Sequence, residues 1–232
     1  MPSRALDTRD RLIATAEELF AAQGVEAVSL RQIVRAAGAK NATALQYHFG
    51  DRAGLVRSVL ERHHLDVDTR RHALLDAYES EGKDDLRGLA VALVQPLASK
   101  LADESGRAYL QIMAEVMNRP QQALYPAGLD GPDDSMFRWR ALVAPLLDEE
   151  ALRLHRRFVV LRFAFVELAR RADSGRHADD RLFTSHLVDL VTALLEARPS
   201  PQTRRLSAER DAARKPGRSG SSAEITSARG RR

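Results

Sequence analysis

Apolar residues in the first part of the chain recur with the spacing of amphipathic helices, and glycines interrupt the pattern. The first helical face has apolar side chains at i, i+1, i+4, i+7 and i+8, namely Leu12, Ile13, Ala16, Leu19 and Phe20. Gly24 follows at the position typical of a left-handed helix C-cap. This pattern predicts a helix over residues 8–23.

A second helix is predicted to begin at Ser29. Ser29 and Gln32 have the spacing of a capping box, and Val28 and Ile33 have that of a hydrophobic staple. Gly38 is expected to end this helix, because glycine readily adopts the left-handed conformation found there.

The rest of the chain up to residue 197 is predicted to be helical as well. Asn41 is placed to cap a short third helix over 42–48, and Gly50 and Asp51 separate it from a fourth. Further helical patterns cover 52–82, 85–101, 106–117, 135–147, 149–172 and 180–197. A loop rich in proline and glycine spans 118–134. Sustained strand alternation is not found, so the fold class is expected to be all-α.

The net charge of +4 is concentrated at the C-terminus. Residues 198–232 contain ten Lys and Arg residues and three acidic ones, whereas residues 1–197 contain 26 basic and 29 acidic residues. The C-terminal segment has few large apolar residues, so it is predicted to be a basic disordered tail. It would act either as a solvated tail that favours solubility or as a non-specific clamp on phosphates.

Composition and motifs argue against several classes of protein. The chain has no cysteine, which removes disulfides and thiolate sites, and no apolar run approaches the ~20 residues of a membrane span. The N-terminal apolar stretch is too short for a signal peptide, so a cytoplasmic protein is expected. Motifs of dinucleotide binding, nucleophile elbows and zinc proteases are missing, so neither an enzyme nor a cofactor is expected.

The second and third predicted helices, joined by a tight turn and supported by the first, match a helix-turn-helix unit. Leu45 is expected to point into the core, which leaves Thr43, Gln46 and Tyr47 outward and His48 at the flank. This face is uncharged but offers a hydroxyl, an amide, a phenol and an imidazole, which bond base edges and phosphates. The alternative is a generic three-helix core with polar caps.

The segment from Arg9 to Leu60 resembles the DNA-binding domain of the TetR family of bacterial transcription regulators. The resemblance rests on "LIATAEELFAAQGVEAVSLRQIVRAAGA" followed by "QYHFGDRAGLV". The turn at 38–41 departs from the common pattern, since it is one residue longer.

The resemblance implies six DNA contacts, from Arg31, Thr43, Gln46, Tyr47, His48 and Arg52. Gln46 would read a base, whereas Tyr47, His48 and Arg52 would hold phosphates. The expected organisation is a helix-turn-helix domain over 1–52, a helical ligand-binding and dimerisation domain over 53–197, and the tail.

Two late helices are candidates for a dimer interface. The stretch 157–169 is apolar nearly all round, which indicates packing on two sides. With the helix over 180–197 it resembles the final helix pair through which the family dimerises. The candidate interface residues are Phe165, Leu187, Leu190 and Leu194. The alternative is that both helices fill a monomer core.

Aromatic and methionine residues of the middle helices are candidates for an effector cavity. The set comprises Tyr109, Met113, Met117, Phe137, Trp139, Phe158, Arg162 and Phe163. Such a stripe also fits ordinary core packing. Arg162, which lies within an apolar helix, would form either a structural ion pair or an anchor for an anionic ligand group. His63, His64 and His155 do not suggest a metal site, so none is expected.

These features together predict a ligand-responsive repressor that binds double-stranded DNA at a palindromic operator as a homodimer. A small apolar or amphipathic molecule would release it. The alternative is a helical DNA-binding architectural or interaction protein without a small-molecule effector.

Overall fold

The computed structural model describes residues 8–39, 43–82, 84–118, 131 and 133–214. Within these residues the predicted all-α fold is confirmed, because they contain helices and no strand. The helices are α1 (Thr8–Gln23), α2 (Leu30–Ala36), α3 (Thr43–Phe49), α4 (Arg52–Glu81), α5 (Leu86–Ala98), α6 (Glu104–Met117), α7 (Ser135–Val143), α8 (Glu149–Arg153), α9 (Arg156–Asp173), α10 (Arg181–Glu196) and α11 (Pro201–Arg214).

The end of α1 and the starts of α2 and α4 agree with the predicted capping residues. α1 ends before Gly24, which has a φ of 87°. Ser29 caps α2 by accepting a hydrogen bond from the Gln32 N–H at 3.1 Å. The return half of the predicted capping box is not made, since the Gln32 amide donates to Gln23 Oε1 at 3.0 Å instead.

Helix α4 is a single helix of 30 residues that extends from the helix-turn-helix unit through the rest of the fold. Asp51 caps its first turn by accepting a hydrogen bond from the Gly54 N–H at 2.8 Å, and Gly82 ends it in the left-handed conformation, with a φ of 62°. α4 contacts α1, α3, α5, α6 and α7. It is therefore the element that connects the first three helices to the C-terminal helices.

Two apolar regions form the core around α4. The N-terminal region is built from α1 to α3 and the first turns of α4, and its buried residues include Leu12, Ala16, Phe20, Val28, Ile33, Leu45, Phe49, Leu55 and Val59. The C-terminal region is built from α4 to α10, and its buried residues include Leu75, Leu93, Leu97, Leu110, Trp139, Leu161, Leu168, Val191 and Leu195. Burial of these side chains supplies the main driving force for folding.

The single helix predicted over 149–172 is divided in the structure. His155 adopts the left-handed conformation with a φ of 57°, so that α8 ends at Arg153 and α9 begins at Arg156. The Arg156 guanidinium donates to the carbonyls of Leu194, at 3.0 Å, and Ala197. These bonds fix the start of α9 against the end of α10, and this tertiary contact outweighs the local helix preference. Similarly, the helix predicted over 135–147 ends at Val143 and continues as a 3-10 turn.

The described residues up to Ala197 form one compact unit. α1 packs against α6 as well as α4, so packing is continuous across the domain boundary predicted at residue 52. That boundary therefore marks the start of α4 and not a gap in the core.

The prediction of a disordered tail is wrong for residues 201–214, which form α11 within a second unit. Ser200 Oγ accepts a hydrogen bond from the Thr203 N–H at 3.2 Å, and Pro201 occupies the first helical position, where its missing N–H has no consequence. Ala, Arg, Gln and Glu in this segment are good helix formers, which the composition argument overlooked. Residues 215–232 of the predicted tail lie outside the described part of the chain.

None of the described helices combines the length and the apolar character needed to cross a membrane.

Candidate functional site

Two buried apolar side chains anchor helix α3 to the core, and polar side chains lie on its exposed face. Leu45 and Phe49 are buried at 3% and 8% exposure and lie one helical turn apart on the same side. Gln46 is exposed, and Tyr47 is 85% exposed. The predicted orientation of α3 is therefore reproduced at these positions, and the amide of Gln46 and the phenol of Tyr47 face away from the core.

The end of α3 is joined to α4 by Gly50 and Asp51 alone. Gly50 has a φ of 74°, which favours glycine, and its N–H donates to Gln46 O at 2.9 Å. A Cβ atom at Gly54 would lie 1.9 Å from Phe49 O, so only glycine allows α4 to begin this close to α3. The orientation of α3 is thus fixed directly by the first turn of α4.

The other residues of α2 and α3 that were predicted to contact DNA are Arg31, His48 and Thr43. Arg31 is exposed on α2. His48 is half-buried, and its ring lies edge-on to that of Tyr47 with centroids 5.2 Å apart. Thr43 begins α3, but its side chain lies outside the described residues, as does the predicted cap Asn41.

Arg52, which the resemblance places at the DNA, bonds the protein's own backbone through one nitrogen of its guanidinium. Its Nη1 donates to the carbonyl oxygens of Val25, at 2.5 Å, and Val28, at 2.7 Å. Arg52 is half-buried and braces the loop between α1 and α2.

A basic residue that the sequence prediction passed over lies beside α3. Arg9 is exposed at the start of α1, and its guanidinium lies 5.6 Å from the centroid of the Phe49 ring. Its Nη2 also donates to Ser58 Oγ at 3.5 Å. Arg9 therefore places a positive charge next to the C-terminal end of α3.

The eight predicted effector residues differ in burial. Tyr109, Met113, Met117 and Trp139 are buried, and the Trp139 indole donates to Leu89 O at 2.8 Å. Phe137 and Phe158 are about half exposed, and Phe163 is half-buried. Some of these residues thus belong to the core and others to the surface. Helical spacing alone does not tell which face of a helix is buried.

Arg162 is exposed and not embedded in an apolar environment. Its guanidinium donates to Asn118 Oδ1, with Nη2 at 2.8 Å, and lies 5.7 Å from the centroid of the Phe158 ring. Among the described residues Arg162 thus makes an amide hydrogen bond and a cation–π contact, whereas the sequence predicted either an ion pair or an anchor for an anionic ligand group.

Three surface clefts occur among the described residues, and none of these three is lined by the predicted effector set. One of about 560 Å³ lies between α1, α6 and the end of α9, and its lining includes Glu17, Arg62, Ser105, Arg107 and Ala108. The other two, of about 460 and 480 Å³, lie between α1 and α4 and between α5 and α10.

The four residues predicted for the dimer interface also differ in burial. Phe165 and Leu187 are buried at 3% and 2% exposure within the core of the same chain, so they are not on an interface surface. Leu190 is 38% exposed and Leu194 is half-buried. α9 and α10 also expose three large apolar side chains that were not predicted, Phe158, Val159 and Leu182.

Comparison with known proteins gives one family match and several structural similarities. Residues 12–59 match the family of bacterial regulatory proteins, tetR family. A putative tetR family transcription regulator from Shewanella sp. PV-4 has a TM-score of 0.58 at 17% identity, with 82% of this chain and 96% of that chain covered. No curated protein matches the chain.

Two further structures are similar at lower TM-scores. Mycobacterium smegmatis AmtR has a TM-score of 0.48 at 17% identity, with 93% of this chain and 100% of that chain covered. Pseudomonas aeruginosa NalD, the secondary repressor of the MexAB-OprM multidrug efflux pump, has a TM-score of 0.45 at 23% identity, with 79% and 94% covered.

Proposed function

We propose that this chain, whose residues 12–59 belong to the TetR family, is a homodimeric transcription repressor. It binds a palindromic operator and releases it when a small apolar or amphipathic molecule binds. The observation that carries this proposal is the polar face of α3, where exposed Gln46 and Tyr47 stand opposite buried Leu45 and Phe49. A helix held in this way can enter the major groove without disturbing the core.

Each polar residue near α3 has a role that follows from its chemistry. The Gln46 amide offers a donor and an acceptor, which pair with an adenine edge. Tyr47, His48 and Arg31 donate hydrogen bonds or charge to phosphates, and Arg9 adds a further phosphate contact at the end of α3. In this assignment Arg52 positions the α1–α2 loop through the two hydrogen bonds of its Nη1 and is not itself a phosphate ligand.

The surface of α9 and α10 supports the homodimer. Phe158 and Val159 are 49% and 50% exposed near the start of α9, and Leu190 is exposed on α10. The start of α9 is bonded to the end of α10 through Arg156, so the two helices that carry these side chains are adjacent. A second copy would bury them by an isologous contact, which also sets two recognition helices about one two-fold axis.

A bonded path connects the DNA-reading helices to α6. Glu115 Oε2 of α6 accepts a hydrogen bond from the Val25 N–H at 2.8 Å, and Arg52 of α4 bonds the carbonyl of the same residue. The α1–α2 loop is therefore held by both α6 and α4, so a shift of either helix moves the helix-turn-helix unit.

A second connection passes through α1. Glu17 is 3% exposed, and its Oε1 lies 2.6 Å from His63 Nε2 of α4. Its Oε2 accepts a hydrogen bond from Ser105 Oγ of α6 at 2.6 Å. Glu17 and Ser105 both line the cleft of about 560 Å³, a volume within the range of small-molecule sites. An effector that enters this cleft would separate α1 from α6, with an expected coupling to DNA affinity of about 1–3 kcal/mol.

The function is tested by selecting duplexes from a random pool with the full chain. The expected product is a near-palindrome whose half-sites lie one helical turn of ~34–36 Å, or a multiple, apart. Light scattering should give a dimer both free and bound. A pool that shows no enrichment, or a monomer on a single half-site, would refute the proposal.

The effector is tested separately by thermal shift with a panel of amphipathic compounds, followed by operator titration with each compound that binds. Release of the operator is expected for compounds that occupy the cleft at Glu17. Compounds that bind there without changing operator affinity would favour the alternative of an architectural DNA-binding protein.

A further inference from the structure

A histidine and two aspartates converge where α4 meets the start of α7. Nitrogen and carboxylate oxygen atoms of His64, Asp68 and Asp134 all lie within 4.8 Å of one another. His64 and Asp68 are four residues apart on α4, so their side chains share one helix face, and Asp134 is the residue that caps α7. The cluster lies outside the helix-turn-helix unit and the cleft at Glu17.

Each aspartate accepts a backbone hydrogen bond at one oxygen, and its other oxygen faces a histidine, which is His64 for Asp134 and His72 for Asp68. Asp134 Oδ1 accepts a hydrogen bond from the Met136 N–H at 2.7 Å, and Asp68 Oδ1 accepts one from the Ser135 N–H at 2.8 Å. The first turn of α7 therefore orients both carboxylates before any ligand arrives. This arrangement resembles the outer-shell bonds that orient ligating carboxylates in metal sites.

The second oxygen of Asp134 is the unexplained group. The Asp134 side chain is only 4% exposed, and its buried Oδ2 accepts no hydrogen bond. The contact that this oxygen does make is with the His64 ring, whose Nε2 lies 3.2 Å away. A buried carboxylate oxygen without a well-aligned hydrogen bond is costly to maintain, and a cation between Oδ2 and Nε2 would satisfy it.

We propose that His64, Asp68 and Asp134 bind a divalent first-row transition metal, with Zn²⁺ as the representative ion. One imidazole nitrogen and two carboxylate oxygens form three ligands of a tetrahedral site, and the fourth position is open to water or a small anion. An imidazole ligand favours Zn²⁺ over Mg²⁺ or Ca²⁺, which prefer oxygen alone.

The distances are compatible with this assignment. Zinc bonds of about 2.0–2.2 Å in a tetrahedron place ligand atoms about 3.3–3.5 Å apart. The His64–Asp134 separation of 3.2 Å is already close to this value, and the remaining pairs close from at most 4.8 Å by small side-chain rotations.

The charge balance also fits, with one opposing contribution. Two carboxylates neutralise a divalent ion, but Arg71 donates to Ser135 Oγ at 3.1 Å and so places a positive charge beside the site. His72 extends the same face of α4, with its Nε2 3.6 Å from Asp68 Oδ2. The sequence prediction of no metal site considered the histidines alone and overlooked the spacing of His64 and Asp68.

The test is zinc binding to the chelator-stripped full chain, measured by competition with a zinc indicator. One ion per chain is expected, and Mg²⁺ should not compete. His64→Gln and Asp68→Asn should each weaken zinc binding at least tenfold. His186→Gln, on the exposed face of α10, is the matched control and should bind zinc as the unaltered chain does.

Two outcomes would overturn the proposal. One is affinity that is unchanged by His64→Gln, which would mean that His64 and Asp134 form only an ion pair. The other is an X-ray absorption spectrum of the zinc-loaded, unaltered chain whose ligand shell lacks an imidazole. This second measurement needs no variant, so it decides the matter even if a substitution prevents folding.

Discussion

Replacing Arg52 with alanine tests whether this side chain stabilises the α1–α2 loop or contacts a DNA phosphate. The guanidinium makes two hydrogen bonds, at 2.5 and 2.7 Å, to the carbonyls of Val25 and Val28. Hydrogen bonds to charged groups contribute about 1.5–3 kcal/mol, and because Arg52 is half-buried we expect about that amount for the pair together. The free energy of unfolding from urea titration should fall by this amount.

DNA binding by the same variant should respond in a particular way to salt. If Arg52 does not touch phosphate, operator affinity falls because the α1–α2 loop is loosened, but the slope of log affinity against log salt stays the same. A lost phosphate contact would instead reduce the slope by about 0.9 per subunit. Fluorescence anisotropy between about 50 and 200 mM salt measures this slope.

Arg31→Ala is the matched control, since Arg31 is an exposed arginine on α2 of the same unit. It should reduce the salt slope by about 1 per subunit and change stability by less than about 0.5 kcal/mol. The reasoning about Arg52 is refuted if Arg52→Ala behaves like this control, with unchanged stability and a reduced slope.

Three further predictions concern the recognition helix, the dimer and acid stability. Gln46→Ala should cost about 1–3 kcal/mol on the operator and relax discrimination at one base pair per half-site; equal loss on a scrambled duplex would contradict the base contact. Leu190→Arg should give a folded monomer by light scattering, whereas Phe165→Arg, at a buried position, should lower the melting temperature of the chain itself. The Lys100 ammonium, 2.6 Å away, lowers the pKa of Asp66 below its ordinary value of 3.8. The ion pair between Lys100 and Asp66 therefore stabilises the fold above pH about 4, and this stabilisation is lost as the pH falls through the lowered pKa. Asp66→Asn should lower the free energy of unfolding at pH 7 and have no such effect in strong acid.

The N-terminal helices could be predicted from the sequence because local signals fix them. α1 has the predicted bounds of 8–23, and Ser29 and Asp51 both act as caps. These signals work through hydrogen bonds within a few residues, so no tertiary information is needed. The buried position of Leu45 followed from the same helical geometry.

Features that depend on contacts between distant residues could not be predicted in this way. The break at His155 has no glycine or proline to mark it, and it accompanies the bonds of Arg156 to the end of α10. The inward turn of Arg52 depends on carbonyls more than 20 residues away. Phe165 and Leu190 both fit an apolar helix face, and only the packing of α9 and α10 assigns one to the core and one to the surface.

Because α4 is one uninterrupted helix, a small tilt of its middle would move its N-terminal end, and α3 with it, by a larger distance. Asp66, where Lys100 holds α4, lies 14 residues from Arg52, or about 21 Å along the axis. Each degree of tilt about that point displaces the start of α4 by about 0.4 Å, and α3 follows because only two residues join the helices. A base-edge hydrogen bond tolerates roughly half an ångström of stretch. In the proposed homodimer, rotations of a few degrees with opposite displacements in the two subunits would therefore be enough to switch operator binding, so an effector would need only motions smaller than the width of a side chain.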